Sequence, residues 1–201
     1  MVSGLSAGGV ATYYWVDYVK YHTKTSKVYG MPDSGMFISD YYSPIFKKQY
    51  ALNRFMNLQK LVGTPTDSVD IPPPVQKCID KTQNITYCKT STVYLDYVES
   101  PLMIIESPYD QWAIDNIAGA RCKTGDFWPY SLENCNATYL SAIEDYRNHI
   151  LNQIKETKGD RKDVGIWAPS CVQHGFSFDA SLVTDMYRIP TGTGQHLYEA
   201  I

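Results

Sequence analysis

Leu102-Met103-Ile104-Ile105 is a run of four apolar residues with no polar break, framed by Pro101 and Glu106. A strand with one wet face would alternate, so an unbroken run predicts a strand, Pro101 to Tyr109, covered on both faces, the usual condition inside a parallel sheet. A helical segment around Gln111 to Ile117 follows it. Further on, Tyr139, Leu140, Ile143, Tyr146, Ile150, Leu151 and Ile154 recur at intervals of three and four, which predicts a long amphipathic helix from Asn136 to Lys158. Val164 to Ala168 is a second buried strand, ended by Pro169. Strand, helix and strand in this order predict an α/β fold: a parallel sheet with flanking helices.

The rest of the chain reads less sharply. Ala7 to Tyr21 is a helix that is apolar nearly all round, with Thr12, Asp17 and Lys20 as its polar breaks, and such a helix is normally buried in a larger body. Lys27 to Tyr29 is a short strand ended by Gly30 and Pro32. Lys47 to Val62 has helical spacing. Pro72-Pro73-Pro74 breaks the chain and starts a short segment to Cys78. Lys158 to Asp163 is a run of charges with one glycine, the composition of a solvated turn.

Composition excludes several classes. With 201 residues, 44% hydrophobic and 19% charged, the chain can bury a core and is no disordered tail. A net charge of −3 without a basic stripe argues against nucleic acid as a partner. No apolar stretch is long enough to cross a bilayer as a helix, so no transmembrane segment is expected. Among five cysteines, Cys78 with Cys88 and Cys122 with Cys135 suggest two local disulfides, while Cys171 is left as a free thiol or a bridge to a missing segment. Two N-x-S/T sequons, at Asn84 and Asn136, lie inside or just beyond those loops. Together they predict a secreted or luminal glycoprotein. No apolar leader follows Met1, so the signal peptide is expected to have been lost with an N-terminal part.

The chemistry is carried by Gly4-Leu5-Ser6-Ala7-Gly8. G-x-S-x-G is the spacing of a nucleophile elbow, a tight strand-to-helix turn with the serine in strained backbone geometry and glycines where side chains would clash. The helix beginning at Ala7 would offer backbone N–H groups to a developing oxyanion, Ala7 first among them. A serine hydrolase of this type also needs an acid and then a histidine along the chain. Asp110 follows the best strand, and His174 follows the next one, where the carboxyl ends of parallel strands meet a site crevice. Asp110 also has the position of a cap for the helix at Gln111. His22, His149 and His196 are poorer bases: the first two sit on helices and no strand precedes the third. A Cys171–His174 metal pair lacks a second pair to complete a site.

Four blocks, Gly4-Leu5-Ser6-Ala7-Gly8-Gly9, Asp33-Ser34-Gly35-Met36-Phe37-Ile38-Ser39-Asp40, Glu106-Ser107-Pro108-Tyr109-Asp110-Gln111-Trp112 and Pro169-Ser170-Cys171-Val172-Gln173-His174, resemble the pectin acetylesterase/Notum family in sequence and in order. The resemblance implies an α/β-hydrolase-like carboxylesterase, secreted and disulfide-bonded, with a triad falling on Ser6, Asp110 and His174 and with no cofactor or metal. It implies that Asp33, Ser34 and Gly35 line the pocket or lie just behind it. The family's Cys pair ahead of the acid-bearing strand is similar to Cys78 and Cys88.

In that family a glycine-rich block with a tryptophan lies upstream of the serine and supplies further oxyanion donors, and it has no counterpart here. The strand feeding the elbow is expected to be absent too, because only Met1, Val2 and Ser3 precede Gly4. The expectation is therefore a single partial domain over residues 1–201 that begins at the elbow, its N-terminal strands missing. The resemblance implies an ester substrate: an acetylated polysaccharide such as pectin first, a fatty-acylated protein second. The alternative from another class is a truncated, catalytically inactive binding module. The oligomeric state is not legible.

Overall fold

The computed structural model describes residues 1–23, 27–38, 41–49, 71–90, 92–124 and 130–177. The helix expected from Lys47 to Val62 lies almost wholly outside the described residues, as do Ser39, Asp40 and His196. Its described start is a turn closed by the Ser43–Lys48 bridge.

Among the described residues four parallel strands form one sheet in chain order: β1 (Val2–Leu5), β2 (Gly30–Asp33), β3 (Leu102–Ile105) and β4 (Val164–Trp167). The strand feeding the elbow is present, contrary to expectation. Val2 to Leu5 pair in register with Gly30 to Asp33. β2 also corrects the reading of Lys27 to Tyr29, because Gly30 and Pro32 are in the strand rather than at its end. In a parallel ladder alternate residues bond to opposite neighbours. Gly30 donates to the Pro101 carbonyl and Ser34 to that of Ile105, on the β3 side. Pro32 therefore costs a single donor, between the paired ends Gly30–Leu102 and Asp33–Ile105.

Leu102 and Ile104 face one side of the sheet, where they pack with Tyr13 and Val16 of α1 (Ala7–His22) and Tyr146, Ile150 and Ile154 of α5 (Ala137–Lys158). Met31, Ile105 and Trp167 face the other, against Phe176. The unbroken run of β3 is thus explained by cover on both faces. α1 corrects the expectation of an all-round buried helix. Gly9, Thr12, Tyr13, Val16 and Asp17 form its buried face, while Tyr18 and Tyr21 are 40% and 51% exposed. Asp17, read as a polar break, is fully buried and accepts hydrogen bonds from Glu99 N, Ser100 N and Ser100 Oγ at 2.7–2.9 Å. The charged turn before β4 is likewise a tie: the Arg161 guanidinium donates to the Val98 and Ser100 carbonyls and pairs with Asp163.

Residues 73–90 are helical rather than an open loop, as α2 (Pro73–Thr82) and α3 (Ile85–Thr90), and the Cys78–Cys88 disulfide joins the two. Pro73 opens α2, where a missing N–H costs nothing. A 3-10 turn, Thr92–Tyr97, leads on to β3. The second disulfide joins Cys122 to Cys135 and abuts Asn136, whose side chain caps α5 by accepting from Tyr139 N. Among the described residues no helix is long and apolar enough to cross a membrane. Replacing Cys78 and Cys88 by serine, a pair 10 residues apart, is expected to lower stability by about 2.5–3 kcal/mol through lost loop-closure restraint. Urea unfolding of the double variant would measure it, and a midpoint equal to wild type would refute it.

Candidate active site

The carboxyl ends of all four strands contribute. β1 turns into α1 at Ser6, which holds φ 59° and ψ −118°. Such backbone costs of order 1–3 kcal/mol and persists only where its surroundings enforce it. Here Ser6 N donates to the Asp33 carbonyl at 2.9 Å, and the Ser6 carbonyl accepts from Val10 N. A methyl group on Gly4 would lie 2.4 Å from the Gly8 carbonyl oxygen, so that glycine is required by contact. Gly8 departs from the expectation of a clash at both flanks, since a methyl there meets no described atom within 4 Å. Gly9 and Gly35 press backbone on backbone, a methyl on either falling within 2.9 Å of the other.

The second strand end is the girder of the site. Asp33 and Ser34 are fully buried. The Asp33 carboxylate accepts from Ser34 Oγ, Phe176 N and Ser177 N, and Ser34 Oγ accepts from Gly175 N at 2.8 Å. One dipeptide thus binds the elbow through its main chain and the histidine loop through its side chains. Leu5, before the serine, packs on Gly175, after the histidine: a methyl on Gly175 would sit 2.5 Å from Leu5 Cδ1. Asp33, Ser34 and Gly35 therefore stand behind Ser6 and His174, holding both.

Past β3, Asp110 is 2% exposed. Its Oδ1 caps the helix α4 (Gln111–Ala113) by accepting from Ala113 N at 2.8 Å, and its Oδ2 lies 2.6 Å from His174 Nδ1. Asp110 thus caps the helix with one oxygen and meets the His174 ring with the other. Burial pulls the His174 imidazole down, but the bond to Asp110 and the charges of Asp110 and Asp33 outweigh it, leaving its pKa above the ordinary histidine value. With Nδ1 taken by Asp110, Nε2 is the ring nitrogen without a hydrogen-bond partner among the described residues. Ala7 is the first residue of α1, where helical N–H groups have no partner within the helix.

Several residues carried no role in the sequence reading. Phe37 lies 6.2 Å from the His174 ring and 4.9 Å from that of Trp112, forming an aromatic wall beside the imidazole. Ser107 Oγ donates to the Cys171 carbonyl and accepts from Tyr109 N, tying the acid loop to the histidine loop. Glu106 is 3% exposed and accepts from Met36 N. An acid directly after an apolar run is the signal that marks Glu106, as it does Asp33. Cys171 pairs with none of the other four cysteines, and burial shifts its thiol upward, away from the reactive thiolate. Among the described residues no group of three or more His, Cys, Asp or Glu side chains is arranged to hold a metal ion. Asn84 and Asn136 are exposed, and each caps a helix through Oδ1.

Comparison with known proteins adds to this geometry. The sequence matches the family profile described as pectinacetylesterase over residues 1–201. It is 25% identical over 188 residues to pectin acetylesterase 5 of Arabidopsis thaliana, covering 87% of this chain and 40% of that protein. It is 23% identical over 190 residues to pectin acetylesterase 4 of the same plant, covering 87% and 41%. The chain thus spans about two fifths of the length of these curated relatives. Its fold is similar to the solved structure of the Wnt deacylase Notum from Drosophila, with a TM-score of 0.58 at 20% identity, over 91% of this chain and 48% of that one.

Proposed function

The chain belongs to the pectinacetylesterase family, and from that membership and the geometry around Ser6 we propose that it serves a carboxylic ester hydrolase working through an acyl-enzyme. The observation that carries the reading is the strained Ser6 turn held by Asp33, the residue that also anchors the loop bearing His174, whose ring is paired with Asp110. Ser6 Oγ attacks the ester carbonyl, and His174 Nε2 takes its proton and returns it to the leaving alcohol. Asp110 holds the imidazole tautomer and stabilises the imidazolium. Water then attacks the acyl-enzyme with His174 again as base. Ala7 N–H supplies one oxyanion donor, and an oxyanion donor of this kind is worth roughly 10²–10³ in rate. Phe37 and Trp112 would wall the acyl side of the site.

The favoured substrate is an acetylated polysaccharide such as pectin, supported by the family and by the two plant relatives. Removal of a fatty acyl ester from a protein is the second reading, supported by the likeness to Notum. Two disulfides and two outward-facing sequons support a secreted, glycosylated protein. The test is a fluorophosphonate probe with mass-spectrometric mapping, alongside acetate release from acetylated pectin. Modification of Ser6 is expected. An unmodified Ser6 in folded protein would favour the binding-module reading instead.

A pH dependence follows from His174. The base must be neutral, so kcat/KM rises with pH through the histidine pKa, with a midpoint above the ordinary value of about 6.5. Because the folded pKa is the higher one, the His174–Asp110 ion pair stabilises the fold below the unfolded pKa. That stability is lost as pH rises through the folded pKa. In Asp110→Asn the acid-side midpoint is expected to fall as kcat collapses. A midpoint unmoved by that substitution would exclude Asp110 as the histidine's partner.

A further inference from the structure

Behind the pair of Asp110 and His174 lies a buried carboxyl that the mechanism does not use. Glu106 ends the apolar run of β3, is 3% exposed, and accepts from Met36 N at 2.9 Å and from Gly35 N. Gly35 is the residue pressed against Gly9 in the first turn of α1. A single side chain therefore links the strand that leads to Asp110, the turn after β2, and through that turn the helix that starts at Ser6.

We infer that Glu106 is a positioning residue, a buried strap that fixes the distance between the Asp110 loop and the Gly35–Met36 turn and so the placement of Asp110 and His174 relative to Ser6. It does this uncharged. The groups facing it are Asp33 from the end of β2, Asp110 from the loop after β3, Tyr13 from α1 and Tyr146 from α5, with His174 beyond Asp110. Among the described residues, the groups that act most strongly on Glu106 include no cation. Asp33 takes three donors and Asp110 takes Ala113 N and His174, whereas Glu106 has two backbone N–H groups. The Tyr13 hydroxyl, buried nearby, has no hydrogen-bond partner among the described residues. Burial first, and then the charges of Asp110 and Asp33, hold the Glu106 carboxyl well above the ordinary range against the pull of the two backbone donors. A neutral carboxyl keeps the strap without placing a third negative charge beside the acid that must stabilise an imidazolium.

The inference rests on the esterase reading for the meaning of "placement", and its tests separate the two. An acid whose folded pKa is raised binds more protons folded than unfolded, so its contribution to stability falls as pH rises from the unfolded pKa through the folded one. Glu106→Gln, neutral at every pH, escapes that loss. The melting temperature of E106Q minus that of wild type is expected to grow by several degrees from pH 5 to pH 9. A difference flat with pH would overturn the uncharged strap. By NMR, the His174 imidazole of E106Q should titrate close to wild type, while that of Glu106→Leu, which leaves Met36 N and Gly35 N unpaired, should move toward an ordinary histidine. In turnover, E106L is expected to lose kcat on the order of 10²-fold with little change in KM, as misplacement does. E106Q should recover most of it and keep activity further into alkaline pH. An E106L enzyme with wild-type kcat and wild-type His174 titration would overturn the positioning role. Failure of the probe to label Ser6 would sink the esterase reading, leaving the melting and NMR measurements to decide Glu106.

Discussion

Ser6→Ala is expected to lower ester turnover by on the order of 10⁴–10⁶-fold and to abolish fluorophosphonate labelling, while leaving the melting temperature close to wild type. The separation of these effects is what makes the variant informative. Ser6 is the cap residue of α1 by position, yet its side chain makes no capping hydrogen bond. Its structural work is done by the backbone: the N–H to Asp33 and the carbonyl to Val10. Alanine keeps both, and it tolerates the φ of 59° no worse than serine does. The loss would therefore be chemical. Members of a triad act as a unit, so Ser6→Ala combined with His174→Ala should be scarcely slower than Ser6→Ala alone. Acetate release on single and double variants, with circular dichroism melts of each, is the measurement. Single variants whose losses multiply in the double would mean that Ser6 and His174 act separately, against an acyl-enzyme mechanism.

The legibility of such a site in the sequence depends on how local each feature is. The elbow is written in consecutive residues, and Ser6 sits in the turn that Gly4-Leu5-Ser6-Ala7-Gly8 predicts. β3 and α5 are written in hydrophobic pattern: α5 matches its expected ends to a residue, while β3 stops at Ile105, where the apolar run ends, four residues short of the expected Tyr109. Asp110 and His174 were reachable because each follows an apolar run. What the chain hides is whatever is decided by a distant partner. Pro32 argues against a central strand, yet parallel geometry leaves it one missing donor. Asp17 and Arg161 look like surface charges. They are satisfied by backbone groups near residues 98–100, far away in sequence. Val2 to Leu5 make a strand because β2 lies alongside, and four residues at a chain start carry no period of their own. Glu106 belongs with these, since its environment of acids and backbone donors exists only when β2, β3 and α1 have come together.

Asp33→Ala is the second large effect, and it separates the two halves of the girder. The main-chain carbonyl of Asp33 remains to accept Ser6 N, so the elbow keeps its tie. The carboxylate disappears, and with it the acceptor for Phe176 N, Ser177 N and Ser34 Oγ. Those donors are buried or nearly so, and each unpaired one costs about 1–3 kcal/mol, so a loss of about 3–5 kcal/mol is expected. That is a large share of the 5–15 kcal/mol typical of a domain. Activity should fall with stability, because the freed segment begins at Phe176, two residues after the base, while Gly175 N keeps its tie to Ser34 Oγ. Asn in place of Asp33 should rescue much of it, since its amide oxygen can take the two backbone N–H groups that share Oδ2 and its N–H₂ can donate to the Ser34 hydroxyl. Hydrogen exchange distinguishes loop release from global unfolding. Under native conditions the Phe176 and Ser177 amides should lose protection in Asp33→Ala, while those along α1 and β1 keep theirs. Unchanged protection at residues 176–177 with intact turnover would mean that the histidine loop is held by something else, with Gly175 N on Ser34 Oγ and Leu5 packed on Gly175 as its remaining ties.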